Sequence, residues 1–441
     1  MFLTPVRAAR GGLLVEVILL AVVFAVTTWS ASLMQHVTVT RYWDGDEYYF
    51  MTEQIAAGQV PHVGAPYVYR LATPWLVARV WPPDRIVTGF RTINIAAAAA
   101  TTLLLLVWLR RFVAQRWARL IVVTLFIIEW HGPVRFVFYY PVYVDPLAFP
   151  CLIGGLILID ELRAKDREAR GVLVWSLTAL CVVGVLVREV MVVIPLALLC
   201  VDNPVGARAG WIAWARRFDP RLLIPAVVSG GVIELTHLVT QPRVAFSFLG
   251  TAALRLRTKP AFTWVLAWFI TFGPILLLTF YDWRRVWRTL ADRQDLAAYL
   301  VLFAVLAYIG GSDTERFVFW AMPVVYLLIA QALVAHRRAL DSTYLAAVLV
   351  VAQLVSARVL WSIPSPGLDV SSLAEMPTLA AKTWAILNRL VVIDDYHWNL
   401  WSNFGSRPFH ALLLAIYLVF CAAMIGWIHR RTMRTMRTHG V

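Results

Sequence analysis

The sequence predicts an all-α polytopic membrane protein of about twelve transmembrane helices with both termini in the cytoplasm. Three observations carry this. The 441 residues are 60% hydrophobic and only 15% charged, with a mean hydropathy of +0.70, whereas a soluble domain is near half apolar and about a quarter charged. Apolar windows of about 17–25 residues recur along the whole length, as a hydrocarbon core of about 30 Å requires. Basic residues also gather in alternate short loops.

Taken in order, the windows fall at 12–34, 88–110, 112–130, 144–162, 171–187 and 189–201, then at 222–240, 261–281, 296–311, 317–335, 343–361 and 409–428. The segments this alternation puts inside are Arg7/Arg10, Arg110-Arg111, Arg163-Ala164-Lys165-Asp166-Arg167, Arg216-Arg217, Arg284-Arg285/Arg288, Arg337-Arg338 and Arg430-Arg431/Arg434/Arg437. All are basic, which fixes the orientation by the positive-inside rule. Arg116 and Arg119 in the second inner turn are expected to snorkel to the surface. Ser30-Ala31-Ser32 offers a cleavage-type sequence, but the first apolar run exceeds the roughly 7–15 residues of a signal-peptide core. The chain therefore reads as one transmembrane domain, 1–441. Its polar segments are a first outer loop at 35–87 and a late one at 362–408.

The net charge of +14 is accounted for by the inner loops and gives no reason to expect a nucleic-acid partner. The four cysteines, Cys151, Cys181, Cys200 and Cys421, all lie in apolar runs. They read as small core residues rather than a disulfide framework or a zinc site.

The chemistry-bearing residues gather on the outer side. Tyr42-Trp43-Asp44-Gly45-Asp46-Glu47-Tyr48-Tyr49 follows the first window, and three carboxylates at a membrane boundary are costly to desolvate. Tyr49, Phe50, Glu53 and Ala56-Ala57 predict a surface helix with Asp44 or Asp46 at its start, where a carboxylate complements the helix dipole. One such Asp is explained as a cap, and the other two acids are left over. The apolar run 67–82 is short for a crossing and predicts an interfacial helix with Trp75 and Trp81 at headgroup level. Arg70 then faces either headgroups or the acidic cavity. At outer span ends lie Glu129, His131, Arg135, Asp145, Arg188, Glu189, Glu234, His237, Asp313, Glu315 and Arg316. Arg316 reads equally as a phosphate ligand or as a salt bridge to Asp313 or Glu315, and Arg188-Glu189 reads first as a buried pair. Glu234 and His237 share a helix face, a weak metal signal.

These residues resemble the glycosyltransferase C superfamily, multi-span enzymes that take sugars from polyprenyl-phosphate donors. Asp46-Glu47 opens the first outer loop and is followed by an aromatic and Ala-Ala-Gly; Tyr69-Arg70-Leu71-Ala72-Thr73-Pro74 leads to the next span; Arg316-Phe317 with Pro323 opens a late one. The nearest likeness is to the protein O-mannosyltransferase and aminoarabinose-transferase branch. It implies inverting transfer to an acceptor hydroxyl on lipid, glycan or protein, outside the inner membrane of a bacterium. Asp46 would be the base, with Asp44 and Glu47 beside it, and Arg316 would hold the leaving phosphate, with Arg70 and Arg188 behind it. Glu189, Asp145, His131 and Glu129 would complete the substrate site. No cofactor is expected; a divalent ion at Asp44 and Asp46 is the disfavoured alternative. The chain departs from the branch in adding Asp44, and in having only the 362–408 loop, with Tyr396, Trp398 and Trp401, where many members carry a soluble C-terminal domain. The rival reading is a transporter or lipid-sugar flippase, against which stand the outer clustering of charge and the absence of internal repeats.

Overall fold

The computed structural model describes residues 11–34, 44–201, 218–359, 402 and 407–438. Among them every regular element is helical. The flanking residues Trp43, Arg7, Arg10 and Arg216-Arg217, the aromatics Tyr396, Trp398 and Trp401, and most of the 362–408 loop lie outside the described residues.

Helix α1 (Gly11–Met34) is the first apolar window. Two short helices, α2 (Asp44–Ala56) and α3 (Ala72–Val80), form the expected pair in the first loop, and α4 (Ile86–Leu109) leaves it. Next come α5 (Arg116–Ile128), α6 (Pro133–Tyr139), α7 (Asp145–Ala164), α8 (Gly171–Val187), α9 (Val193–Leu198) and α10 (Ile224–Val239). The second half runs α11 (Phe248–Thr258), α12 (Ala261–Phe272), α13 (Leu277–Tyr281), α14 (Trp283–Asp292), α15 (Gln294–Ile309), α16 (Thr314–Phe319), α17 (Met322–Ala335), α18 (Arg337–Leu340), α19 (Thr343–Ser356) and α20 (Arg407–Thr438). The most extensive packing is of α7 on α4 and α8, and of α10 on α8; α17 lies on α5, and α16 is wedged between α12 and α15.

Each of the twelve predicted windows contains helix, yet among the described residues only six helical stretches are long and apolar enough to cross a membrane alone. They are Gly12–Leu33, Pro83–Leu109, Arg116–Tyr139, Arg167–Val187, Pro220–Val239 and Arg407–Met433. Ala261–Phe272 and Pro274–Tyr281 make a seventh if counted as one span, bent by 104°. The windows at 189–201, 296–311, 317–335 and 343–361 contain shorter apolar helices, Glu189–Leu198, Gln294–Ile309, Met322–Ala335 and Thr343–Ser356. Helix α7 spans 20 residues with Asp145 in its first turn and Arg163 in its last. Many apolar side chains of the long helices point outward, such as Ile18, Val22, Val227, Leu238 and Val419, the arrangement expected of helices facing lipid rather than water.

The bend has a local cause. Gly273 adopts a φ of +72°, open to glycine and strained for other residues. The freed backbone groups are taken by one side chain: the Gln353 amide donates to the Phe272 carbonyl at 3.0 Å and accepts from the Ile275 N–H at 3.1 Å. A broken helix at membrane depth requires such a partner.

At the opposite end of the bundle from the acidic motif, buried ion pairs pin the helices. Glu16 on α1 is paired with Arg119 on α5 and, at 3.4 Å, with Arg110. Arg119 therefore does not snorkel as expected: it is 3% exposed. It also donates to the carbonyls of Val113 and Ala114 at 2.6 and 2.7 Å, because the carboxylate of α1 and the frayed turn before α5 offer a closer set of acceptors than the headgroups. Asp160, Asp295, Arg163 and Arg293 form a similar cluster.

Candidate functional site: a carboxylate and guanidinium cluster behind the first outer loop

Helix α2 begins at Asp44 and carries Asp44, Asp46 and Glu47 in its first turn. It is half-embedded rather than superficial, since Gly45, Tyr48, Tyr49, Met51 and Thr52 are buried. Gly45 is required by close approach: its N–H donates to the Tyr140 hydroxyl, and a Cβ there would lie 2.9 Å from that oxygen. The Asp-Gly-Asp sequence thus docks its middle residue on an aromatic cluster built from Trp130, Phe136, Tyr139, Tyr140 and Tyr143.

Docking this turn aims Asp44 inward. One carboxylate oxygen accepts from the Tyr67 hydroxyl at 3.0 Å, and the other faces Arg316 at 3.3 and 3.4 Å. Both oxygens are thus taken by side chains of other segments. Burial disfavours the charge on Asp44, but Arg316, Arg70 and Arg188 together outweigh it and hold the carboxyl below its usual range. It is an acceptor-only group at neutral pH.

Arg316, on α16, is shared among three carboxylates. It meets Asp313 at 2.7 Å, Asp145 at 3.1 Å and Asp44 at 3.3 Å. Glu315 is not among them, which narrows the expected pairing: successive residues of a helix project about 100° apart, and the Glu315 carboxylate instead accepts the Ser402 N–H at 2.7 Å. Burial pushes Glu315 up to about 7, against the lowering effect of that hydrogen bond.

Arg188 and Glu189 do not form the expected pair. Arg188 closes α8 in extended backbone, and Glu189 opens a 3₁₀ turn, so the two side chains part. Arg188 pairs with Asp145, and its Nε is buried without a partner among the described residues. Glu189 accepts from Nε of Arg70 at 2.8 Å and from its Nη2, while Nη1 of Arg70 donates to the Tyr48 hydroxyl at 2.6 Å. Arg70 is 5% exposed and, of its two expected environments, faces the carboxylates rather than the headgroups.

Glu47 faces elsewhere. It accepts the Gly64 N–H at 2.6 Å and Arg243 at 2.7 Å. There residues 63–65 also pair by backbone with 243–244, at 2.9 and 3.0 Å. Glu47 thus ties the first loop to the segment after α10. Asp46 is half-buried on the same turn as Asp44.

Glu129 and His131 sit apart from this network. They face each other at 3.4 Å in a separate buried group that includes Arg135, whose guanidinium donates to the carbonyls of Ile128, Ala357 and Arg358. His237 is 4.0 Å from an exposed Glu234 and packs on the Tyr69 ring. Among the described residues no group of three or more metal-ligating side chains converges.

The sequence reading missed three hydroxyls, Tyr48, Tyr67 and Tyr140. Their only sequence signal is their place in tyrosine-rich runs beside the charged residues, at 48–49, 67–69 and 139–143.

No protein-family model matches the chain, and no curated protein matches it. Among solved structures, it is similar to the crystal structure of the Archaeoglobus fulgidus oligosaccharyltransferase tethered with an acceptor peptide containing the NVT sequon via a disulfide bond. The TM-score is 0.38 and the identity 10%, over 88% of this chain. The chain spans 56% of that protein's length.

Proposed function

We propose that this chain is an integral membrane glycosyltransferase that moves a sugar from a polyprenyl-phosphate donor to an acceptor hydroxyl at the outer face of a bacterial inner membrane. One observation supports the reading most directly: Asp44, Asp145, Arg188 and Arg316, from four segments distant in sequence, are joined by ion pairs into one network directly behind the Asp44-Gly45-Asp46 turn. Buried, clustered ionisable groups at a membrane boundary are expensive and favour a functional use.

The chemistry follows from the groups. The acceptor oxygen attacks the anomeric carbon while a carboxylate takes its proton. The bond from that carbon to the phosphate oxygen breaks, its electron pair leaves on the phosphate, and configuration inverts. Asp46 is the base in this scheme. Asp44, held ionised by three guanidiniums, is a weaker proton acceptor and orients Arg316 instead. Arg316 meets the leaving phosphate by exchanging carboxylate partners for phosphoryl oxygens, and the open Nε of Arg188 adds a second donor. Asp145 and Glu189 hold Arg188, Arg316 and Arg70 in position. Glu47 shapes the loop, and Glu129 and His131 act on the acceptor side. The scheme needs no cofactor, and the acceptor is a lipid, a glycan or a protein.

The bent α12–α13 pair is the one observation favouring a transporter, since broken helices line transporter sites. Here the break is braced by Gln353 rather than offered to an ion, so the transferase reading is preferred.

The test uses purified protein in lipid nanodiscs with a panel of radiolabelled polyprenyl-phosphate sugars. Wild type should consume one donor, and Asp46→Asn should lose at least about 10²-fold of the rate, the usual scale of a general base, with donor binding retained. Unchanged turnover in Asp46→Asn would move the base to Asp44. No donor bound or consumed by wild type would sink the transferase reading and favour transport.

A further inference from the structure

A second feature lies at the other end of the bundle and is independent of the transferase chemistry. Helices α5, α17 and α19 and the turn before α13 enclose an apolar groove of about 600 Å³. Along α5 it runs from Trp117 to Ile128, and Leu349 and Leu354 of α19 form the facing wall. Ile121, Val350 and Leu354 on its lips are 38%, 54% and 42% exposed, so among the described residues the groove opens sideways, toward the membrane interior. At 1.5 Å per residue, the stretch of α5 from Trp117 to Ile128 is about 17 Å long. That is close to the roughly 15 Å depth of one leaflet's hydrocarbon.

The mouth is polar and incomplete. Arg337 and Asp341 both line it and stand one helical turn apart, with the Asp341 N–H bonded to the Arg337 carbonyl at 2.9 Å. Both side chains are exposed, and among the described residues neither is paired with the other or with a third group. Trp117 lines the same end, and its indole N–H is buried without a hydrogen-bond partner. Arg337-Arg338 belongs to the inner basic set of the charge pattern, so the mouth lies at the cytoplasmic headgroup level.

We infer that this groove binds one acyl chain of a phosphatidylethanolamine from the cytoplasmic leaflet, with the phosphate on Arg337 and the ammonium on Asp341. The lipid is chosen by the mouth. A cation and an anion one turn apart match a headgroup carrying both charges, and an ammonium with N–H donors can reach a carboxylate. An anionic glycerol headgroup would meet Asp341 with no cation to offer it. A quaternary amine has no N–H to donate. The one-leaflet depth fits a single acyl chain whose head is at the cytoplasmic surface, remote from the Asp44–Arg316 network.

The full-length protein in nanodiscs of phosphatidylethanolamine, phosphatidylglycerol or phosphatidylcholine, released into detergent and weighed intact by native mass spectrometry, tests this. Wild type should retain one phosphatidylethanolamine per chain, about tenfold over either competitor, a ratio equivalent to 1.4 kcal/mol. Asp341→Asn should abolish the preference over phosphatidylcholine, and Arg337→Gln should lower retention of all three lipids. Ala346→Trp, placed in the groove wall, should expel the lipid; if that variant fails to fold, Leu354→Trp at the lip replaces it. Equal retention of the three lipids by wild type, preferential phosphatidylglycerol, or retention unchanged in a folded groove-filling variant would each overturn the assignment.

Discussion

Arg316 is the residue on which the candidate site turns, because Asp44, Asp145 and Asp313 all lean on its guanidinium. Removing one partner of a buried charge network leaves the others uncompensated, at a cost of about 3–5 kcal/mol. Arg316→Ala is therefore expected to lower the thermal midpoint in detergent as well as to abolish donor turnover. Arg316→Lys should recover much of the stability and little of the turnover, since a compact ammonium lacks the rigid planar fork of five donors that the guanidinium presents. Equal turnover by the Lys variant would show that only charge is needed. Glu315 makes the complementary pH prediction. Its carboxyl, raised by burial to about 7 from an ordinary 4.5, binds its proton more tightly folded than unfolded. Stability from this source is present below pH 4.5 and is lost as pH climbs toward 7. Thermal midpoints measured between pH 4.5 and 8 should fall across that window in wild type and flatten in Glu315→Gln. Asp44, shifted the other way, would lose its contribution only as pH falls below the ordinary carboxylate range.

The α12–α13 elbow shows how an element tolerates a break inside the bilayer. Gly273 supplies the positive φ, and Gln353 replaces two lost backbone partners from a helix some eighty positions downstream. A Cβ at position 273 would meet the Gln353 amide directly. Gly273→Ala should therefore cost at least the about 1–3 kcal/mol of a strained backbone. Gln353→Leu, which orphans a carbonyl and an N–H, should cost about 1–3 kcal/mol for each group left unsatisfied. Both are read as shifts in thermal midpoint. A double variant no worse than the worse single one would show that the two residues act as one brace. Neither residue stands out in the sequence. Gly273-Pro274 reads as a routine interruption of an apolar window, and a glutamine in α19 reads as a polar outlier.

At the scale of the whole molecule, the charge pattern and the structure address different questions. The helices say which segments are rigid and apolar; the loops say which way they point. The twelve-window alternation predicts the first loop outside and Arg337-Arg338 inside. A membrane-impermeant maleimide applied to intact cells should label His62→Cys and spare Arg338→Cys, which should react only after permeabilisation. The reverse pattern would invert the topology and with it the face on which the Asp44 network works. The four native cysteines are buried or half-buried and should give a low background.

Apolar length and loop charge were enough to read the membrane class, the run of helices, the two short helices of the first loop and the residue types of the candidate site. Those rest on local properties: apolar length, flanking charge and the cost of carboxylates near a bilayer. The partners of those residues came from packing. Arg70 is matched with Glu189 and Arg188 with Asp145, while Glu47 is turned to Arg243 and Glu129 with His131 is set apart. Pairing depends on which helix faces pack together and on where a helix ends, as the extended backbone at Arg188 illustrates. Gly45 is the compact example. Its place between two aspartates is plain in the sequence, but the need for glycine comes from Tyr140, 95 positions away, since only packing brings that ring within reach of the backbone.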